Sequence, residues 1–166
     1  MRRLIALAAV TLLGACADLS GGAGPSSNEA EIRGALERWA KAFQAADVDG
    51  VMAMYAPQVV AYDFIPPLRY VGADAYRKDY EEFLAQFDGP PAVQFRDLKV
   101  VAGNDVGFVY ALERISGKLK NGQEVEFWGR CTSGFQKISG RWLDVHDHCS
   151  VPADFDTGKA VLDLKP

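Results

Sequence analysis

Residues 141–152, RWLDVHDHCSVP, limit the fold of this chain more than any other stretch. They follow a Ser139-Gly140 turn signal and alternate in chemistry with a period of two. One set is Leu143, Val145, Asp147, Cys149 and Val151; the other is Trp142, Asp144, His146, His148 and Ser150. Successive side chains on a strand point to opposite faces of a sheet, so the sets should look in opposite directions. The first is mostly apolar and is expected to face a core or cavity. The second carries both histidines of the chain and is expected to face away.

Three more strand-like runs precede this one, at 93–102, 106–117 and 124–137. Short breaks separate them: Gly103-Asn104-Asp105, then Lys120-Asn121-Gly122, then Ser139-Gly140. Such spacing reads as an antiparallel meander. The chain before it is helical in pattern. Residues 29–46 carry the stripe Ile32, Ala35, Leu36, Trp39, Phe43 and Ala46, with Asn28 as the expected N-cap. A short helix is expected from Val51 to Tyr55, then a strand at 59–63 that ends on Asp63. Pro66 and Pro67 cannot continue a central ladder, so the chain should turn there and return at 68–71. Gly72-Ala73-Asp74 opens a third helix, with Tyr76, Tyr80, Phe83, Leu84 and Phe87 on one side. Helices first and a meander second make the class α+β. At 166 residues and 49% hydrophobic content, one globular domain is expected.

The N-terminus reads differently. Arg2 and Arg3 precede an apolar run at 4–13, too short for a permanent span, and Leu13-Gly14-Ala15-Cys16 follows. The last four residues are similar to the lipobox of bacterial lipoproteins, which implies a signal peptide at 1–15 and a lipid on Cys16. Residues 16–28 then form a flexible tether, 29–152 the domain, and 153–166 a tail. Export would place Cys131 and Cys149 in an oxidising compartment, where they either pair or remain buried thiols. A formal charge of −4 without a basic patch argues against a nucleic-acid partner.

Strand 124–137 also splits into two sets, and the more apolar one is Phe127, Gly129, Cys131, Ser133 and Phe135. Aligning it with the apolar set of 141–152 puts Cys131 and Cys149 on one face. Trp128, Arg130 and Thr132 then share the other face with His146 and His148.

The stretches RWAKAFQAADVDGVMAMYAP, YDFIPPLRYVGADAYRK, FWGRCTSGFQK and RWLDVHDHCSVP together resemble the nuclear transport factor 2-like superfamily. Within it they resemble the SnoaL-like, ketosteroid isomerase-related bacterial proteins. The resemblance implies a cone: a curved antiparallel sheet, the cystatin-like roll, wrapped around N-terminal helices. The concave side is the pocket and the convex side a dimer interface. The residues expected at the pocket are Trp39, Tyr55, Tyr62, Tyr110, Phe127, Cys131, Phe135, Val145 and Cys149. Trp128, Arg130, His146 and His148, joined by Trp142, are expected on a homodimer face.

Alignment with the isomerase puts Asp63 on the general base, Trp39 on the tyrosine donor and Gly129 near the second, acidic donor. Ketosteroid isomerase is itself a standard example of this chemistry. One of three catalytic positions is thus kept. Asp147 is a separate inference from strand parity: a carboxylate among Val145, Cys149 and Val151 needs a partner or a raised pKa. Arg114, Tyr55, Tyr62 and Tyr110 are its candidate partners. His146-x-His148 has metal-site spacing but no third ligand, so no metal is expected. No Gly-x-Ser-x-Gly elbow and no phosphate loop occurs, and no cofactor is expected. Three functions follow: an envelope protein binding a small hydrophobic molecule, a cofactor-independent isomerase or lyase with Asp63 as base, or a dimeric assembly module.

Overall fold

The computed structural model describes residues 26–166. The expected signal segment, the expected lipidation site Cys16 and the expected tether up to residue 25 lie outside the described residues. The first helix, α1 (Ser27–Gln44), starts earlier than its apolar stripe indicates. Ser26 is the N-cap, not Asn28: its hydroxyl accepts from the Glu29 amide while the Glu29 carboxylate accepts from the Ser26 amide. This reciprocal box satisfies two otherwise free amides at the helix start. Asn28 instead donates through its side-chain amide to the Gly103 carbonyl, and so ties the helix to a distant loop. Asp47 then caps the short α2 (Val48–Met52), which also begins before the expected position.

Next come β1 (Tyr55–Tyr62), β2 (Tyr70–Val71), α3 (Ala73–Leu84), β3 (Ala92–Ala102), β4 (Val106–Lys118), β5 (Glu124–Ile138) and β6 (Arg141–Ser150). The tail forms a small hairpin of β7 (Ala153–Asp154) and β8 (Lys159–Ala160). The main sheet has the order β2-β1-β6-β5-β4-β3. It is mixed rather than wholly antiparallel, because β1 lies parallel to β6. The chain fold remains α+β. Residues Ile32, Leu36, Trp39 and Phe43 of α1 and Tyr76, Tyr80 and Leu84 of α3 pack into the concave side of the sheet. Between β5 and β6, Ser139 and Gly140 both have positive φ, 49° and 78°, as a tight two-residue hairpin turn requires.

Strand β6 carries the main correction to the alternation argument. Gly134 pairs with His146, but Phe135 pairs with Asp144, so Val145 is the extra residue of a β-bulge. Facing reverses across it. Beyond the bulge Asp147 is buried, as alternation indicates. Before it Trp142 and Asp144 are the buried residues, so Trp142 belongs to the core and not to a dimer face. Val145 is half-buried at the bulge and lines neither of the two hollows on the concave side.

Candidate functional site

The sheet's concave face and helices α1 and α3 enclose a cavity of about 280 Å³. Trp39, Phe43, Phe83, Ile115 and Phe127 supply apolar walls. Val151, just past β6, and Ala160 and Leu162 of the tail also line it, so the segment after β6 helps to close it. Four carboxylates reach this lining: Asp63 at the end of β1, Asp79 on α3, Glu113 on β4 and Asp147 on β6. No Lys, Arg or His is among the lining residues. A smaller cleft of about 30 Å³ continues inward past Tyr55, Cys131, Ser133, Glu113 and Asp147. A wider, open groove of about 690 Å³ lies elsewhere, between α1 and the start of β6, and touches none of these four acids.

Each carboxylate arrives by strand parity or helical spacing. On β4, Val109, Ala111, Glu113 and Ile115 form the buried set, so the acid sits in an apolar row. On α3, Tyr76, Asp79, Tyr80 and Phe83 follow the three-and-four spacing that keeps side chains on one helix face. Asp147 is the hub of the polar groups. Its Oδ1 accepts from Ser133 at 3.0 Å. Its Oδ2 accepts from Tyr76 at 3.2 Å and lies 3.4 Å from the Tyr55 hydroxyl. Tyr55 and Tyr80 share a hydrogen bond of 2.7 Å. Tyr76 also reaches Asp63 at 2.8 Å, and Tyr70 donates to Asp79 at 2.8 Å.

Burial dominates the protonation of the cluster. It raises Asp147 to about 6, helped by the Asp63 charge and opposed by the Ser133 and tyrosine hydrogen bonds. It raises Asp79 to about 6 as well, opposed by the Tyr70 hydrogen bond. Glu113 is pushed highest, to about 8, by burial and then by the charges of Asp147 and Asp63. It is 7% exposed and makes no side-chain hydrogen bond or ion pair among the described residues. Asp144 lies deeper, fully buried, with its pKa raised by burial; its Oδ1 accepts from the His146 amide and its Oδ2 has no partner among the described residues. Thus the site holds both a carboxyl that keeps its proton at neutral pH and carboxylates that release theirs below it.

The structure separates the expected pocket residues into three groups. Asp63, Asp147, Trp39, Phe127 and Cys149 line the main cavity, and Tyr55 and Cys131 line the inner cleft. The Trp39 indole nitrogen is buried without a partner among the described residues. Phe135 is wholly buried in the core and reaches neither space. Tyr62 and Tyr110 are on the wrong face, 39% and 47% exposed. The reason is register: Tyr62 pairs beside His148 while its neighbour Ala61 pairs beside Asp147, and Tyr110 alternates with buried Val109 and Ala111. Arg114 also points away and pairs with Glu126. Neither Tyr62, Tyr110 nor Arg114 is therefore a partner of Asp147; Tyr55 alone of the expected four is.

The outward layer contains Trp128, Arg130, His146 and His148, together with Tyr62 and Tyr110. Tyr62 packs edge-on against both imidazoles, with ring centroids 4.9 Å from His146 and 5.7 Å from His148. His146 Nδ1 is 2.8 Å from the Val60 carbonyl. A carbonyl only accepts, so this nitrogen carries a proton and donates. Cys131 and Cys149 pair directly across β5 and β6 and form a disulfide. Among the described residues the one trio of potential metal-ligating atoms is Glu113, Cys131 and Cys149, and its two sulfurs are bonded to each other.

Glu113, Tyr76, Asp79 and Tyr80 are site residues that sequence reasoning did not select. The signal for Glu113 was present: an acid midway through an alternating apolar run on 106–117.

Comparison with known proteins agrees with this architecture. The family model described as SnoaL-like domain matches residues 32–154. An NTF2-like protein of unknown function from Pseudomonas putida is 34% identical, with a TM-score of 0.76, over 83% of this chain and 96% of that one. A ketosteroid isomerase-like protein from Erwinia carotovora atroseptica is 21% identical, with a TM-score of 0.64, over 75% and 95%. An uncharacterized protein with a cystatin-like fold from Caulobacter vibrioides is 11% identical, with a TM-score of 0.66, over 80% and 94%. The last two likenesses concern the fold alone. No curated protein matches the chain. With its described sheet, helices and residues 32–154 all in agreement, the chain belongs to the SnoaL-like family of nuclear transport factor 2-like proteins.

Proposed function

We propose that the cavity binds a small, largely apolar molecule and holds its polar end against the carboxyl–tyrosine cluster. The observation that carries this is the contrast within one lining: aromatic and aliphatic walls, with Glu113, Asp147 and Asp63 gathered on the sheet side and strand end. Ligand sites are commonly apolar hollows with a few placed polar groups. A volume of about 280 Å³ suits a molecule of one to three rings.

The disulfide supports the reading of an exported protein, since such bonds persist in oxidising compartments. Anchoring through a lipid on Cys16 is part of this proposal. So is a homodimer through the outward face, where Phe108, Tyr110 and Tyr62 are each more than a third exposed.

The test uses N-phenyl-1-naphthylamine, a neutral dye that brightens in apolar sites. The expected result is saturable brightening with the wild type and its loss in Val151→Trp, which fills the cavity border. Brightening that is equal in both proteins removes the cavity as the binding site.

A second reading has its own support. Asp63 and Asp147 share the Tyr76 hydroxyl, while Glu113 keeps its proton to higher pH. Groups of one site whose proton affinities are driven apart can serve as base and acid. This favours a cofactor-independent isomerase or lyase with Asp63 as base and Glu113 as proton donor. Turnover that survives Asp63→Asn would remove that assignment.

A further inference from the structure

We propose that the preferred occupant of the cavity is an organic cation, a protonated amine on a small hydrophobic skeleton. This rests on the binding reading above and goes further by fixing the charge of the ligand.

The argument starts from charge accounting around one hollow. Asp63 comes from the end of β1, Asp79 from α3, Glu113 from β4 and Asp147 from β6. The remaining ionisable groups in contact with it are Tyr76 and Tyr80 of α3, with Tyr55 of β1 behind them. Burial raises the pKa of all three phenols well above ordinary values, so they stay neutral. Helix α1 contributes only Trp39 and Phe43, and the segment after β6 only Val151, Ala160 and Leu162. No cation among the described residues lines the space. Carboxylates drawn out of water are normally ion-paired; Asp63, Asp79 and Asp147 meet only hydroxyl and amide donors here.

Glu113 supplies an independent observation. It is 93% removed from solvent by the complement of its 7% exposure, lines both the main cavity and the inner cleft, and has no polar partner among the described residues. A side chain in that state has donor or acceptor capacity left for a ligand. An ammonium group placed there offers N–H donors to the free Glu113 carboxyl and sets its positive charge near Asp147, with which Glu113 shares both spaces. The aromatic walls suit the same ligand, since Trp39, Phe43 and Tyr80 present ring surfaces that attract cations as well as hydrocarbon.

A bare metal ion fits less well. The four lining carboxylates do not bring three oxygens within 4.8 Å of one another; the one such trio contains the disulfide sulfurs. Separated carboxylates on an apolar wall match a cation that carries its own hydrocarbon. Binding it draws protons off the cluster, Glu113 first, because the new positive charge favours the ionised form.

The test compares three probes of one shape and three charges: benzylamine, benzyl alcohol and benzoate. Calorimetry on the wild type at pH 7 is expected to give benzylamine at least tenfold tighter binding than benzyl alcohol, with benzoate weakest. Repeating it in buffers of different ionisation enthalpy should show proton release for benzylamine alone. Its affinity should fall at least tenfold in Asp147→Asn and in Glu113→Gln, with far-UV circular dichroism as the check that both variants are folded. Equal affinity for benzylamine and benzyl alcohol, with the dye bound, overturns the cation inference and leaves the binding proposal standing. Failure of all three probes and the dye overturns both.

Discussion

The Tyr76 hydroxyl lies 2.8 Å from Asp63 and has one proton to give, yet the same oxygen is also within 3.2 Å of Asp147. Two carboxyl groups, one just past β1 and one on β6, thus compete for a single donor on α3. When it points to Asp63, the Asp147 Oδ2 keeps only the longer contact from Tyr55. The arrangement links proton position at one acid to the charge of the other.

Removing that donor has a definite direction. The Tyr76 hydrogen bond lowers the pKa of Asp147, although burial and Asp63 keep it at about 6. In Tyr76→Phe the Asp147 midpoint should rise above its wild-type value. Carboxyl-carbon NMR titration measures it directly. The variant should also lose about 1–3 kcal/mol of stability, because buried Asp147 and half-buried Asp63 lose their shared donor. A lowered or unchanged midpoint would show that Tyr76 does not bond to the ionised form.

Glu113 makes the stability of the protein depend on pH. Its folded-state pKa of about 8 lies above the value of about 4.3 expected for an unfolded chain. The folded state therefore binds the proton more tightly. The associated stability is fully present below the unfolded value and is lost as pH rises through about 8. Asp147 and Asp79, each raised to about 6, add a loss that ends earlier. Urea midpoints should fall between pH 4.5 and 8.5 in the wild type. In Glu113→Gln the fall above pH 7 should disappear, leaving the variant more stable at pH 8.5, on the order of a few kcal/mol at most. A steep fall retained above pH 7 in the variant would assign the effect to other groups.

How far these relationships were legible in the sequence follows from what a period-two pattern can carry. The meander, the helical stripes and the common face of Cys131 and Cys149 are local patterns, and all appear in the fold. The bulge at Val145 is not local: it depends on which residue of β5 lies opposite. Parity therefore assigned Asp147 to the inside but sent Trp142 and Asp144 outward, where the structure buries both. Tyr62 and Tyr110 were placed at the pocket as chemically suitable partners rather than by parity. Their buried neighbours Ala61, Val109 and Ala111 show that parity would have turned them out. The parallel contact of β1 with β6 has no sequence signal, since it joins strands separated by about half of the chain. It sets Ala61 beside Asp147 and so brings the end of β1, with Asp63, to the cavity.

Gly129 illustrates what an absent side chain does for the site. A Cβ built there would fall on two atoms of the Phe64 ring, far inside van der Waals contact. The ring lies directly on this glycine and meets Phe127 edge-on, with centroids 5.3 Å apart. Phe64 follows Asp63 in the chain, lines the cavity, and its amide donates to the Asp63 carboxylate. The glycine thus gives room for the ring that holds the approach to Asp63. In Gly129→Ala the ring must swing away, which is less costly than moving backbone, so a loss of about 1 kcal/mol is expected. In a Phe64→Ala background the same substitution should cost almost nothing, giving a coupling of about 1 kcal/mol in a double-mutant cycle. Gly129→Ala should also weaken dye binding, because the displaced ring no longer walls the cavity beside Phe127. Additive losses in the cycle would place the ring elsewhere in solution and separate Gly129 from the geometry of Asp63.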